Sequence, residues 1–146
     1  MKKAFTLLCV TLFSLATMAN GVKIGDLYYL LDSTNYTASV TYMGETSNDE
    51  PKYSGDIVIP DSIAYNGNKY AVTSIGKGAF YKCSLMTDIS IPNTVTKIGY
   101  QAFCLCSKLK TLTFPSTTTS VGAYTFTPDM KNVIIIVEMD ARRIGQ

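Results

Sequence analysis

The sequence predicts a β-rich solenoid with one short parallel strand per coil, and three observations predict it. Residues 75–97 (IGKGAFYKCSLMTDISIPNTVTK) are written again at 98–120 (IGYQAFCLCSKLKTLTFPSTTTS), a period of 23 residues. A degenerate third copy follows at 121–143 (VGAYTFTPDMKNVIIIVEMDARR), and an incomplete fourth opens at 144–146 with Ile144 and Gly145. Within each copy apolar residues alternate with others over a short run, which is the period of a strand. A repeat of this length cannot close a core alone, so stacked coils must bury one another's apolar faces.

The chain opens with Lys2 and Lys3, an uncharged apolar run over 4–16 and the small-x-small Thr17-Met18-Ala19. Together these read as a secretory signal peptide over residues 1–19. The apolar run is shorter than the roughly 20 residues of a membrane-spanning helix, and no later stretch could cross a bilayer. Residues 20–74 read as an N-terminal β cap with an irregular first coil. In it, 27–31 (LYYLL) and 38–43 (ASVTYM) have strand composition, and Asp32-Ser33-Thr34-Asn35 between them has turn chemistry, so a hairpin is expected. The turn reading also takes in Asn35-Tyr36-Thr37, which matches a glycosylation acceptor. A polar loop over 44–55 leads to a strand at 56–59 that Pro60 ends. Asn66-Gly67 then predicts a second hairpin, because a type I′ turn needs positive φ at both central residues. Aligning Ile59-Pro60 with Ile91-Pro92 shows a 9-residue insertion that holds this hairpin.

In the repeats, Ile75, Ile98 and Val121, with Phe80, Phe103 and Phe126, recur once per coil and are expected to stack in an internal ladder. Gly76, Gly99 and Gly122 mark a corner that demands either positive φ or close backbone approach. Ile89 and Ile91, Leu112 and Phe114, Ile135 and Val137 face inward on the coil strands. Asp88 and Ser90, Thr111 and Thr113, Ile134 and Ile136 then face outward. The apolar last pair reflects either a third coil covered by a partner or a shifted register.

Charge and composition exclude several functions. Without Lys2 and Lys3, 11 of the 13 basic residues remain against 11 acidic ones. With no basic run longer than Arg142-Arg143, neither a phosphate backbone nor an anionic membrane surface has a counterpart. Histidine is absent, which removes the commonest general base, the histidine-activated nucleophiles and the usual zinc ligand. No phosphate loop, zinc pair or calcium loop is written in the chain, so no cofactor, metal or catalytic site is expected.

Cys83 and Cys106 lie one period apart and would stack at one corner, either as small core thiols or as a disulfide between coils. Without Cys9 of the signal peptide, Cys104 leaves three cysteines, an odd number that makes a bridge to another chain a further alternative. Seven of the ten tyrosines (Tyr28, Tyr29, Tyr36, Tyr42, Tyr53, Tyr65 and Tyr70) fall in the cap, where strand propensity accounts for most. Those left exposed, with Tyr81, Tyr100 and Tyr124 of the repeats, could anchor a partner.

The pattern IGxxAFxxC, near-complete in IGKGAFYKC at 75–83 and IGYQAFCLC at 98–106, precedes a strand closed by Ile-Pro or Phe-Pro. In this the chain resembles the BspA-type leucine-rich repeat family of secreted and surface bacterial proteins, over residues 52–146. The third copy departs from the pattern at Thr125, Asp129 and Glu138. The resemblance implies a short leucine-rich repeat array acting outside the cytoplasm as a non-catalytic module, often in adhesins. The expected partner is a protein or glycan on a host or neighbouring cell surface, met through Asp88, Ser90, Thr111, Thr113, Tyr81 and Tyr100. A structural or capping subunit of a larger surface assembly, able to self-associate, is the alternative.

Overall fold

The computed structural model describes residues 21–44, 46–50, 52–128, 130 and 133–138. The signal peptide read at 1–19 and the incomplete repeat at 144–146 lie outside them. Among the described residues every regular element is a strand and none is a helix.

The chain opens with an antiparallel meander of β1 (Val22–Ile24), β2 (Leu27–Asp32) and β3 (Thr37–Thr41). Asp32 holds the β2–β3 turn. Its carboxylate accepts the Asn35 side-chain amide at 2.8 Å and the Thr34 and Asn35 N–H groups at 2.9 and 3.1 Å. These bonds, led by the one from the Asn35 side chain, hold the Asp32 carboxyl below its ordinary pKa. After the polar loop come β4 (Gly55–Val58) and a hairpin of β5 (Ser62–Tyr65) and β6 (Asn68–Ile75). Asn66 and Gly67 sit at φ of 48° and 78°, as a type I′ turn requires.

The repeats contribute β7 (Met86–Ser90), β8 (Lys97–Ile98), β9 (Thr111–Phe114), β10 (Ser120–Val121) and β11 (Ile134–Val137). Two sides result. One is a seven-stranded sheet in the order β1-β2-β3-β6-β8-β10, with β5 paired to β6. β3, β6, β8 and β10 run parallel, and β3 docks on β6 where a preceding coil would otherwise sit. Ile75 opposes Ile98, which opposes Val121, 23 residues further each time. The other side carries β4 beside β7 and β9 beside β11, both parallel. Ile134 opposes Thr111 at the same separation. Asp56 opposes Asp88, 32 residues on, because the β5–β6 hairpin is inserted between those strands.

One apolar core lies between the two sides. Phe80 and Phe103 stack nearly parallel, 2° apart in plane with centroids at 5.4 Å. Ile75, Ile98, Met86, Leu109 and Leu112 are buried around them. The ladder also extends toward the cap in a way the sequence pattern does not show. Tyr53, expected among candidate contact residues, is only 2% exposed and packs on Phe80 at 5.2 Å. Its hydroxyl donates to the Thr41 carbonyl at 2.7 Å and accepts the Tyr28 N–H at 3.0 Å.

The glycine corner is settled in favour of close approach. Gly76, Gly99 and Gly122 are absent from the positive-φ positions. A Cβ at Gly99 would lie 2.6 Å from the Gly76 carbonyl carbon, and one at Gly122 would lie 2.6 Å from that of Gly99. Positive φ falls two residues later, at Gly78 (62°), Gln101 (53°) and Tyr124 (54°), and again at Lys82 (58°) and Leu105 (63°). The next position in the second series is Pro128, whose ring fixes φ near −65°.

The third coil departs from the expected core. Val121 is 45% exposed rather than buried, and Phe126 is half-buried, meeting Phe114 edge-on at 5.8 Å. Ile135 and Val137, expected to face inward into a core, are 46% and 62% exposed. The register is the one the repeat predicts, since Ile135 opposes Leu112. The exposure follows from position: among the described residues no coil stacks beyond the third. Thr125, which replaces the alanine of Ala79 and Ala102, is buried and donates to the Gly122 carbonyl at 2.6 Å. Cys83, Cys104 and Cys106 are buried and form no disulfide, and the Cys106 thiol donates to the Phe80 carbonyl at 3.1 Å.

Candidate functional site

The outward positions of the coil strands converge on one face. In β7, Met86 and Ile89 turn inward and Asp88 and Ser90 outward; in β9, Leu112 and Phe114 are buried, leaving Thr111 and Thr113 on the outside. Between these strands the ladder thins. Lys110 N–H donates to the Thr87 carbonyl at 3.4 Å, yet β7 and β9 belong to separate two-stranded sheets. The opening is a groove of about 660 Å³ that Asp88, Ser90, Thr111 and Thr113 all line.

Four more polar residues complete it, namely Asp56, Thr87, Lys110 and Glu138. Asp56 and Asp88 are direct cross-strand partners. Like charges so placed repel at a cost of roughly 0.2–1 kcal/mol, and each is partly compensated. The Asp56 carboxylate accepts the Thr87 hydroxyl at 2.6 Å, and that of Asp88 accepts the Ile89 N–H at 2.9 Å. Thr87 faces outward beside Asp88 because the register shifts between Gly55 and Asp56. Three carboxylates and one ammonium give the groove a negative balance.

Tyr81 and Tyr100 are not part of this groove. Tyr100 is partly exposed beside Tyr124, ring edge to face at 5.7 Å, with the Lys77 ammonium 5.6 Å from its centroid. Tyr81 is half-buried next to Lys82, whose ammonium lies 5.3 Å from the ring. The expected residues therefore divide into a groove on the strand face, Tyr100 in an aromatic pair with Tyr124, and Tyr81 beside Lys82. Asp56 was within reach of the sequence, because the alignment that places the 9-residue insertion also sets Asp56 over Asp88. Lys110 and Thr87 carry no such signal, since Lys110 precedes β9 and Thr87 sits in β7 where the register shift breaks the alternation.

Among the described residues no group of acidic residues or cysteines is arranged to hold a metal ion. Residues 73–146 match the family profile described as BspA type Leucine rich repeat region (6 copies). This is half of the chain. The chain belongs to the BspA-type leucine-rich repeat family. Solved structures agree on the fold of this family member. It is similar to a leucine-rich repeat protein from Bacteroides capillosus, at 20% identity and a TM-score of 0.53, over 82% of this chain and 99% of that one. It is also similar to a leucine-rich repeat protein from Bacteroides ovatus, at 25% identity and a TM-score of 0.52, over 80% of this chain. It spans 41% of that second protein. No curated protein matches the chain. As a leucine-rich repeat protein it is of a kind that serves protein interaction and is generally non-catalytic.

Proposed function

We propose that this BspA-type protein is a secreted or cell-surface recognition module, without catalytic activity, that binds a protein or glycan on a host or neighbouring cell. In this reading the chain is a solenoid of 23-residue coils, residues 20–74 cap its first end, and residues 1–19 direct export and are then removed. The observation that carries the reading is the groove. Four outward residues from successive repeats, Asp88, Ser90, Thr111 and Thr113, line one polar opening on the strand face. Binding sites need convergent polar groups held on rigid elements, and strands anchored by buried Ile89 and Leu112 provide them. The absence of histidine from the whole sequence supports recognition over catalysis.

The test is capture of surface proteins and arrayed glycans by the purified chain, beside a variant carrying Asp88→Ala, Thr111→Ala and Thr113→Ala. A ligand retained by the chain and lost by the variant supports the groove. Undiminished capture by a folded variant removes it. A separate arm follows Tyr100→Ala with Tyr124→Ala, which tests the aromatic patch as the contact surface. A second reading, a subunit of a larger surface assembly, is favoured by one specific feature, the exposure of all four residues of β11.

A further inference from the structure

Among the described residues the strand face has two outer strands, and they are finished differently. At the β4 end, Gly55 has a φ of 71°, the register shifts at Gly55/Asp56, Asp56 carries a charge, and Pro60 follows shortly after. These are the devices that keep an edge strand from pairing with another chain. At the other end β11 has none of them within Ile134–Val137. Ile134, Ile135, Ile136 and Val137 are all 45–63% exposed, and among the described residues no strand pairs with the outer edge.

The hydrogen bonds to β9 fix which backbone groups point outward. Ile134 N–H donates to the Lys110 carbonyl and Glu138 N–H to the Phe114 carbonyl, each at 2.9 Å. Backbone groups alternate sides along a strand, so residues 134, 136 and 138 face β9, and Ile135 and Val137 direct their N–H and C=O groups away. The sequence around them, Val133-Ile134-Ile135-Ile136-Val137, reads the same in both directions. Its centre, Ile135, is one of the outward-bonding residues.

We propose that β11 is a homodimerisation edge, at which a second copy of this chain pairs antiparallel about a two-fold axis through Ile135. The parity permits it. An antiparallel hydrogen-bonded pair needs two residues that both point outward, and Ile135 opposite its own copy meets that condition. The same register sets Ile134 against Ile136 and Val133 against Val137 of the second copy, so every cross-strand pair is apolar and β-branched, which is the favoured kind. A register moved by one residue would set outward groups against inward ones and is excluded. The contact is isologous, so it closes at two copies and does not propagate. The two-fold axis is perpendicular to the sheet, so both grooves face the same way. This interface is independent of the groove as a ligand site.

Sedimentation of the purified chain from micromolar to millimolar concentration tests it, beside Ile135→Pro and Ile135→Lys. Proline at 135 removes an outward donor and leaves the bonds to β9 in place; the lysine brings like charges together on the axis. The expected result is a monomer–dimer equilibrium for the chain, weakened at least tenfold in both variants with the far-ultraviolet spectrum unchanged. Independently, Ile135→Cys should be joined into a dimer by a short bis-maleimide, and Thr119→Cys, just before β10 of the other sheet, should not. A monomer throughout, a dimer indifferent to both substitutions, or equal cross-linking at 119 would overturn the proposal.

Discussion

Tyr53 shows how much one side chain can decide. Its ring extends the phenylalanine ladder toward the cap and its hydroxyl bonds β2 and β3, so it joins the meander to the repeats. Its sequence surroundings, a polar loop, give no sign of this, because neither period 2 nor period 23 reaches it. Cys83 and Tyr29 are buried nearby in the same core. Burial pushes the Cys83 thiol from 9.0 up to about 11 and the Tyr29 hydroxyl from 10.0 up to about 12, and drives that of Tyr53 upward as well. The unfolded chain therefore releases these protons first. The stability they contribute is fully present below the unfolded value of 9.0 and is lost as pH rises through about 11 and then about 12. Denaturant unfolding at a series of pH values should show no change arising from these groups below 9, then a decline, with Cys83→Ala delaying its onset by about one pH unit. A stability that stays level from pH 9 to 12 would contradict this account.

At the scale of the coil, the repeat made β7, β9 and β11 legible, since they rest on a pattern the sequence states twice, whereas the expectation of one strand per coil missed the second short strands β8 and β10 on the other side. The repeat also singled out Gly76, Gly99 and Gly122, although two physical reasons for glycine were equally open. The backbone distances choose between them: at 2.6 Å from the carbonyl carbon of the preceding coil, a Cβ at Gly99 has nowhere to go. Gly99→Ala must push two stacked backbones apart, and a cost at or above the upper end of about 1–3 kcal/mol is expected in denaturant unfolding. A cost of a few tenths would mean the coils are not in contact there. The left-handed corner at Gly78, Gln101 and Tyr124 was not legible, because only the first copy writes it with glycine. The third coil's divergence has a local cause in Pro128, which occupies the position where Lys82 and Leu105 take positive φ. Asp88, Ser90, Thr111 and Thr113 could be read as neighbours from the period alone. Tyr81 and Tyr100 were joined to them only by residue type, and the fold separates the two sets.

Across the whole molecule, each coil rests on its neighbours, so a lesion in the middle is felt on both sides. Phe103 stacks on Phe80 within a single continuous core, and Phe103→Ala should cost roughly 3–5 kcal/mol. Against the about 5–15 kcal/mol of a typical domain this is a large fraction, and equilibrium unfolding would register it as an early midpoint. The bonds that hold coils together are also oriented. Gly78, Phe80 and Lys82 donate to the carbonyls of Tyr100, Ala102 and Cys104 at 2.9 Å, and Thr96 and Gly99 donate back to Thr73 and Ile75 at 2.9 and 2.8 Å. All of them lie along the stacking axis. A pull between the two ends of the array would therefore load each coil boundary in series, and the bonds within one boundary in parallel. Under tension such a molecule is expected to lengthen by releasing one coil at a time from its weakest boundary, yielding in steps while the remaining coils stay folded.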